Sequence, residues 1–191
     1  MRLALLGGTF NPIHIGHLYI AEEVLVSLGY ERIVFVPSYR PAHKTVGEKD
    51  DSQKRLEMVR LATEGREEFI VDDCEVLRKD TSYTMDTIEY LYRRYPVTGK
   101  IGLIIGEDLV PGFPTWKMVD RLLKEVDIIV AYRTKREPFP YPVPVRYVEN
   151  LVLPISSSEI RGRIKAGKAF RYLVPESVYR YICRQGLYRD V

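Results

Sequence analysis

The feature that most constrains the fold is a short apolar run followed at once by a glycine-rich turn and a helical pattern. Leu3–Leu6 has the length and composition of a buried strand, and residues 7–17 read Gly-Gly-Thr-Phe-Asn-Pro-Ile-His-Ile-Gly-His. Apolar residues then recur with helical spacing from Gly16 to Leu28, and Gly29 fits a C-terminal cap. The chain is therefore expected to leave a strand, turn over two glycines and start a helix within one continuous stretch.

This glycine-rich turn (residues 7–17) is suited to binding a phosphate. Backbone N–H groups and the positive end of the helix dipole converge there, and Gly7 and Gly8 let the backbone approach a ligand closely. His14 and His17 lie three positions apart, so both imidazoles share one helical face and can donate to the same anion. The competing interpretation is a tight turn with two structural histidines. It is disfavoured because the chain has only one other histidine.

Strand-like and helix-like segments alternate along the rest of the chain. The further predicted strands are Arg32–Val36, Phe69–Val71, Glu75–Leu77, Ile101–Ile105, Asp127–Ala131 and Leu151–Leu153. The further predicted helices run from about Asp51 to Thr63, over Thr84–Tyr95, over Trp116–Leu123, from Ser156 to near Gly167 and from Pro175 to near Gly186. Loops are predicted at Ser38–Lys49 and Pro138–Pro144. The alternation predicts an α/β fold with a doubly wound, mainly parallel sheet that binds ligands beyond the carboxyl ends of its strands.

The length of 191 residues predicts a single domain, 1–191, with a basic helical C-terminal segment from about residue 156. That segment carries eight Lys or Arg against three acids, which suits a polyphosphate ligand or a solvated helix face. No apolar run is long enough to span a membrane and no secretory signal precedes the first strand, so we expect a cytoplasmic protein. Cys74 and Cys183 form no CxxC pair and are expected to be reduced thiols, with any redox role left open.

Two common nucleotide-binding sequences are absent. Neither the dinucleotide fingerprint G-x-G-x-x-G nor the Walker sequence G-x-x-x-x-G-K-[ST] occurs, so hydride transfer and P-loop chemistry lose support. Phosphoryl and nucleotidyl transfer depend mainly on positioning and charge stabilisation. Backbone N–H groups, imidazoles, a lysine or arginine and Mg²⁺ are sufficient for that chemistry.

The glycine-rich turn resembles the GGTFDPxHxGH opening of the bacterial nucleotidyltransferases with an HxGH motif, and within them the chain resembles the nicotinate-nucleotide adenylyltransferases. Four more segments resemble motifs of these enzymes in the same order: Pro41–Lys44 (PPHK), Thr81–Thr87 (SYTxDT), Gly106–Asp108 followed by Trp116 (GxDxxxxxxxW), and Ile155–Arg161 (ISSTxIR). The departures are Asn11 for aspartate, Ala42 for proline and Ser158 for threonine. The resemblance covers nearly the whole chain and implies a Rossmann-like nucleotidyltransferase fold.

The resemblance implies a reaction in NAD biosynthesis. The adenylyl group of ATP would pass to nicotinate mononucleotide and give nicotinate adenine dinucleotide and pyrophosphate. The phosphate of the mononucleotide would attack the α-phosphate of ATP in line, without a covalent enzyme intermediate. The implied cofactor is Mg²⁺, held mainly by phosphates and water with no protein metal ligand.

The resemblance also assigns residues to each substrate. His14, His17 and Arg161 are the implied catalytic residues; the histidines hold the ATP phosphates, and Arg161 neutralises the leaving pyrophosphate. The implied ATP-binding set is Gly7, Gly8, Thr9, Phe10, Gly106, Asp108, Ser156 and Ser157. The implied mononucleotide-binding set is Lys44, Tyr83, Thr84, Trp116 and Arg133. In that set Trp116 stacks on the pyridine ring, and the start of the Thr84 helix receives the ring carboxylate.

Purely structural roles compete at several of these positions. Trp116 would more often be a core residue, Thr84 a helix cap, and Lys44 and Arg133 solvated surface. Asn11 is expected to cap the turn in place of aspartate.

Other functions stay open on the sequence. Pantetheine-phosphate adenylyltransferases share the fold and chemistry but usually have threonine at the His14 position and lack Trp116. Class I aminoacyl-tRNA synthetases share the HIGH motif, but this chain has neither their KMSKS-like loop nor a tRNA-binding domain. A non-catalytic nucleotide-binding module is disfavoured by intact His14, His17 and Arg161.

The expected partners are ATP and nicotinate mononucleotide, with no nucleic acid and no membrane. A homo-oligomer is left open, as are a preference for nicotinate over nicotinamide mononucleotide and closure of the Ser38–Lys49 loop as a lid.

Overall fold

A six-stranded parallel sheet lies at the centre of the computed structural model, which describes residues 1–41, 51–132, 138–149 and 155–189. The strands are β1 (Leu3–Gly8), β2 (Arg32–Pro37), β3 (Arg40–Pro41), β4 (Phe69–Val71), β5 (Thr81–Ser82), β6 (Ile101–Gly106), β7 (Val126–Tyr132) and β8 (Val145–Glu149). The helices are α1 (Ile15–Leu28), α2 (Ser52–Thr63), α3 (Cys74–Arg78), α4 (Thr84–Arg94), α5 (Val119–Glu125), α6 (Ser157–Lys165) and α7 (Glu176–Gln185).

The strand order in the large sheet is β4-β2-β1-β6-β7-β8, and every neighbouring pair is parallel. The chain builds outward from β1 in one direction and then, from β6 onward, in the other. The switch in strand order therefore lies between β1 and β6, where doubly wound sheets bind ligands. The predicted α/β, doubly wound fold is confirmed. Strands β3 and β5 form a separate two-stranded parallel sheet.

Helices cover both faces of the large sheet, so its central strands are apolar on both sides. Along β1, Ala4 and Leu6 face a core that includes buried residues of α1, α2 and α7. Leu3 and Leu5 face the opposite core, which contains buried residues of α4 and α5. All four residues are almost inaccessible to solvent. This double burial explains why β1 appears in the sequence as an unbroken apolar run and not as an alternating one.

Several predicted helix ends are confirmed by their local chemistry. Gly29 ends α1 in the left-handed region, with φ of 63°, which glycine adopts without steric cost. The Asp51 carboxylate caps α2 by accepting from the N–H groups of Gln53 and Lys54. Ser156 caps α6 by accepting from the N–H group of Glu159 at 3.1 Å.

Two predicted elements are wrong. Glu75–Leu77 was expected as a strand but belongs to the short helix α3, since the Asp72 carboxylate accepts from the Cys74 N–H group and starts a helical turn. The helix predicted over Trp116–Leu123 begins only at Val119. Met118 takes a left-handed conformation with φ of 57°, and Trp116 has extended backbone.

Strand β8 was not predicted, and the strand predicted at Leu151–Leu153 lies outside the described residues. The loop predicted at Pro138–Pro144 is confirmed, because its residues form neither helix nor strand. Within the described ranges, no helix is both long enough and apolar enough to cross a membrane.

Candidate functional site

A cavity of about 150 Å³ opens at the switch point between β1 and β6. Gly7, Gly8 and Thr9 line it where β1 ends, and Leu103–Ile105 line it from β6. Further parts of the wall come from α3, from β5 and the start of α4, from the turn that carries Trp116, and from Ser38, Pro41 and Leu109. The cavity therefore lies where the sequence analysis expected a ligand to bind.

The two glycines of the turn have different surroundings: Gly7 faces open space in the cavity, and Gly8 lies against the Phe10 ring. A Cβ atom added to Gly7 would meet no atom within 4 Å, and Gly7 lines the cavity, so a side chain there would extend into open space. A Cβ atom on Gly8 would lie 3.2 Å from the Phe10 ring. Phe10 itself has φ of 49°, a left-handed conformation that costs a non-glycine residue about 1–2 kcal/mol. Burial of its ring holds this conformation in place.

Phe10 was predicted to bind ATP, but its side chain does not face a ligand site. The ring is only 2% exposed and packs against Phe35, with a centroid distance of 6.1 Å. It also meets the His17 ring edge-on at 5.1 Å. Phe10 therefore supports His17 from the core, and the ATP-binding prediction stands only for its backbone.

The two imidazoles of the turn lie together, as the spacing predicted. His14 occupies the N-cap position of α1 and His17 lies in its first turn. Their rings stack with centroids 3.8 Å apart and planes inclined by 30°. A Cβ atom at Gly16 would come within 3.2 Å of the His14 ring, so a larger residue between the histidines would crowd it.

The hydrogen bonding of His17 fixes which nitrogen can face a ligand. The backbone N–H group of His14 donates to Nδ1 of His17 at 3.2 Å. Nδ1 is therefore an acceptor, and the neutral ring carries its proton on Nε2. His17 is partly exposed, whereas His14 is 3% exposed. His17 is consequently the more accessible donor of the pair.

The C-terminal segment holds the turn at Asn11 and Pro12. Nη1 of Arg161 donates to the Asn11 carbonyl at 2.7 Å, and the Ser157 hydroxyl donates to the Pro12 carbonyl at 2.9 Å. The Tyr188 hydroxyl donates to Oδ1 of Asn11 at 2.6 Å. The N-terminus of α6 is thus fixed beside the histidine-bearing turn, with Arg161 and Ser157 in contact with it.

Two details of this segment add to the expectations. Oδ1 of Asn11, whose side chain is expected to cap the turn, accepts from Tyr188, which is 177 residues away in the sequence. Ser156 is exposed and its hydroxyl caps α6, so its proposed contact with ATP would share that hydroxyl with the helix. No local sequence pattern points to Tyr188.

Three residues predicted to bind the mononucleotide come together in the cavity. Tyr83, the N-cap of α4, Thr84, its first residue, and Trp116 all line the same space. Trp116 also packs on Phe113, with ring centroids 4.9 Å apart. The adjacent Lys117 was missed by sequence reasoning. Its ammonium lies 4.1 Å from the Tyr83 ring centroid and 3.5 Å from Oδ2 of Asp86.

Glu75 is a buried acid in the cavity wall that sequence reasoning also missed. It is 6% exposed and accepts from the Thr87 hydroxyl. Ser82, whose hydroxyl accepts from the Tyr39 N–H group at 3.0 Å, lies in the same cavity wall. Burial raises the pKa of Glu75 above its usual value, and the two hydroxyls only partly oppose this shift.

A buried arginine connects the turn to the cavity wall. Arg55 on α2 is 1% exposed and donates to the Thr9 carbonyl at 2.7 Å and to the Tyr39 carbonyl at 3.1 Å. The sequence did contain a signal for it. Arg55 lies four residues before Val59 and eight before Thr63, which places it on the buried stripe of α2.

The remaining predicted residues are placed as follows. Gly106 ends β6. A Cβ atom there would lie 2.5 Å from Oδ1 of the exposed Asp108, so only glycine avoids a clash with that carboxylate. Asp108 does not line the cavity, and its contact with a ribose stays a prediction. Lys44 and Arg133 lie outside the described residues, as does most of the Ser38–Lys49 loop.

Among the residues that are described, no group of three or more His, Cys, Asp or Glu side chains could hold a metal ion.

Comparison with known proteins agrees with this geometry. Residues 5–163 match the family model described as cytidylyltransferase-like. A probable nicotinate-nucleotide adenylyltransferase of Borrelia garinii subsp. bavariensis is 40% identical over 98% of this chain and 95% of its own length. A protein of the same description from Treponema pallidum subsp. pallidum is 36% identical over the full length of both chains.

A solved structure shares the fold at lower identity. The Plasmodium falciparum nicotinic acid mononucleotide adenylyltransferase complexed with NaAD superposes with a TM-score of 0.76 at 18% identity, covering 98% of this chain and 97% of its own. At this level of identity the similarity concerns the fold alone.

Proposed function

Because this chain belongs to the cytidylyltransferase-like family and, within it, to the nicotinate-nucleotide adenylyltransferases, we propose a role for each part of the site in the reaction of those enzymes. The enzyme transfers the adenylyl group of ATP to nicotinate mononucleotide and yields nicotinate adenine dinucleotide and pyrophosphate. One observation supports the assignment of roles above all others. The histidine-bearing turn and the cavity with Trp116 lie side by side at the carboxyl ends of β1 and β6.

The turn takes the phosphates of ATP. Its backbone N–H groups, the start of α1 and Nε2–H of His17 form a cluster of donors, and Arg161 adds a guanidinium beside them. Mg²⁺ would be supplied with ATP as part of the substrate, and it would add positive charge at the phosphates. These groups stabilise the charge that develops on the α-phosphoryl oxygens, and Arg161 stabilises the pyrophosphate that leaves.

The chemical step needs no covalent enzyme intermediate. A phosphate oxygen of the mononucleotide forms a bond to the α-phosphorus of ATP, and the bond from that phosphorus to the bridging α–β oxygen breaks. The electron pair leaves with pyrophosphate. The contribution of the enzyme is therefore to align the two phosphates and to stabilise charge.

The cavity takes the pyridine ring of the mononucleotide, and we call it the ring pocket, with Glu75, Ser82, Tyr83, Thr84, Trp116 and Lys117 among its lining residues. Trp116 offers a flat face for stacking. The start of α4 directs unpaired helix N–H groups toward the ring carboxylate, and the Lys117 ammonium lies at the same helix end. The start of α4 and Lys117 therefore both favour nicotinate mononucleotide over nicotinamide mononucleotide.

One assay tests this function directly. The protein is mixed with ATP, Mg²⁺ and, in separate reactions, nicotinate mononucleotide, nicotinamide mononucleotide or phosphopantetheine, and pyrophosphate release is followed. We expect the highest kcat/KM with nicotinate mononucleotide. A comparable rate with phosphopantetheine would contradict the proposed substrate, and equal rates with the two pyridine mononucleotides would contradict the role given to the α4 end and Lys117.

A further inference from the structure

Glu75 stands out in the ring pocket because a carboxyl group is costly to bury. It is 6% exposed, and the hydrogen bond seen at its carboxyl comes from the neutral hydroxyl of Thr87. The Arg78 guanidinium offsets the effect of burial only in part, because the pKa of Glu75 stays raised. A buried carboxylate is normally stabilised by a cation or else becomes neutral. Glu75 nevertheless forms part of the wall of a cavity that also contains Trp116. Its position suggests that the compensating charge arrives with the ligand.

The ligand of this pocket carries such a charge. When a pyridine nitrogen is bonded to ribose, the ring is a pyridinium cation. A cavity of about 150 Å³ has room for a six-membered aromatic ring, so a ring stacked on Trp116 would lie near Glu75. The cation loses much of its hydration on entering the pocket, and a nearby carboxylate offsets that cost.

We propose that Glu75 binds the mononucleotide by supplying the negative charge that pairs with its pyridinium ring. This inference rests on the proposed function, because it needs the mononucleotide to occupy the ring pocket. The two charges of the substrate are then matched at different places in the pocket. Glu75 faces the cationic ring, while the start of α4 and Lys117 receive the ring carboxylate.

The competing role for Glu75 is structural. Its carboxyl accepts from Thr87 and so joins α3 to α4, and this bond alone could explain a buried acid. Two substitutions separate the roles. Glu75→Gln keeps the size and an acceptor oxygen but removes the charge, whereas Glu75→Asp keeps the charge and shortens the reach of the hydrogen bonds.

The probes are nicotinate mononucleotide and its 1,4-dihydro form, whose ring is uncharged. Their affinities are measured as KM for the first and as an inhibition constant for the second, with ATP saturating. We expect Glu75→Gln to weaken binding of the pyridinium form on the order of 10-fold to 100-fold, as for a lost interaction with a charged group. Binding of the dihydro form should weaken by less than about 3-fold. Glu75→Asp should retain a preference for the charged ring.

The matched control is Glu89→Gln, which removes an acid of α4 that pairs with Arg121 at 2.7 Å and does not line the cavity. It should leave both affinities unchanged. Equal losses for the two probes in Glu75→Gln would overturn the proposal and leave Glu75 a structural residue. If the wild-type protein showed no turnover of nicotinate mononucleotide, the proposed function itself would fail, which is a distinct result.

Discussion

The glycine-rich turn and the ring pocket serve one reaction but are stabilised in different ways. The turn is mostly backbone, and distant parts of the chain hold it, since Arg161 and Tyr188 bond to Asn11. The ring pocket is lined by many side chains, and Glu75 in its wall is held by the neighbouring Thr87 hydroxyl. A backbone cradle provides fixed dipoles for phosphates, whereas a side-chain wall can be matched to the shape and charge of one ring.

This difference predicts a separation of kinetic effects. Changes in the turn should lower kcat with either mononucleotide, because the turn acts on the reacting phosphates. Changes in the ring pocket should raise KM for the mononucleotide and affect ATP much less. Arg55 should be an exception. It donates to the Thr9 carbonyl in the turn and to the Tyr39 carbonyl, and the Tyr39 N–H group in turn donates to Ser82 in the pocket wall.

The largest effect is expected at His17. His17→Asn keeps an acceptor close to the position of Nδ1, so the N–H group of His14 remains bonded, but it removes Nε2–H. We expect kcat to fall about 10²–10³-fold, as for loss of one charge-stabilising donor, with an unchanged melting temperature. Turnover is measured at saturating substrates. Near-normal kcat in a folded variant would remove His17 from the mechanism.

Arg55→Met should damage both regions at once. The Thr9 and Tyr39 carbonyls would lose a buried donor, which costs roughly 1–3 kcal/mol of unfolding free energy. We also expect KM to rise for both ATP and the mononucleotide, because the two loops lose their common anchor. Arg60→Met on the same helix is the control. Its ion pair with Asp73 is largely exposed and should contribute less than about 1 kcal/mol.

These stabilities are measured by urea unfolding. A rise in KM for only one substrate after Arg55→Met would show that the arginine supports one region and not both.

Trp116→Ala tests the ring pocket alone. Loss of stacking should raise KM for the mononucleotide roughly 10-fold, with a change of less than about 3-fold for ATP. Trp116→Phe retains an aromatic face and should recover most of the affinity. Equal increases for both substrates would mean that Trp116 acts only by packing on Phe113.

The effect of pH on KM for the mononucleotide should be smaller than the effect of Trp116→Ala, and it should depend on Glu75. Burial raises the pKa of Glu75, with Asp86 adding to the shift and Arg78 opposing it. Only the ionised form pairs with the ring, so KM should fall several-fold as pH rises through this pKa and then level off. In Glu75→Gln that decrease should disappear. The phosphate of the substrate also titrates near pH 6, but it affects both proteins equally.

The same titration has a consequence for stability. Because the pKa of Glu75 is higher in the folded protein, the folded state binds more protons at this site than the unfolded state above pH of about 4.5. The contribution of this group to stability is therefore present at low pH and is lost as pH rises through the raised pKa. The melting temperature of Glu75→Gln relative to the wild type should accordingly increase with pH. A constant difference would show that Glu75 does not titrate as proposed.

The two regions also differ in how far the sequence predicts them. The turn is contiguous, so its strand, glycines and paired histidines can be recognised from local spacing. The ring pocket combines α3, β5, α4 and the Trp116 turn, and only its motif residues were identified. Glu75 was missed because Glu75–Leu77 resembles a short strand in the sequence, whereas the Asp72 carboxylate accepts from the Cys74 N–H group and a helical turn follows. Tyr188 was missed because its partner, Asn11, is distant in sequence and no periodic pattern connects them.

Tyr188→Phe is the smallest change and tests whether the turn depends on its remote support. The Tyr188 hydroxyl donates to Oδ1 of Asn11 at 2.6 Å, and its backbone is held in the left-handed region with φ of 67°. Loss of one such hydrogen bond costs about 1 kcal/mol, so we expect kcat to fall less than about 5-fold with KM for the mononucleotide unchanged. Tyr172→Phe, at a side chain that is 85% exposed, should change neither. If Tyr188→Phe raised KM for the mononucleotide as Trp116→Ala is expected to do, the hydrogen bond to Asn11 would affect the ring pocket as well as the turn. The proposed separation of the two regions would then be wrong.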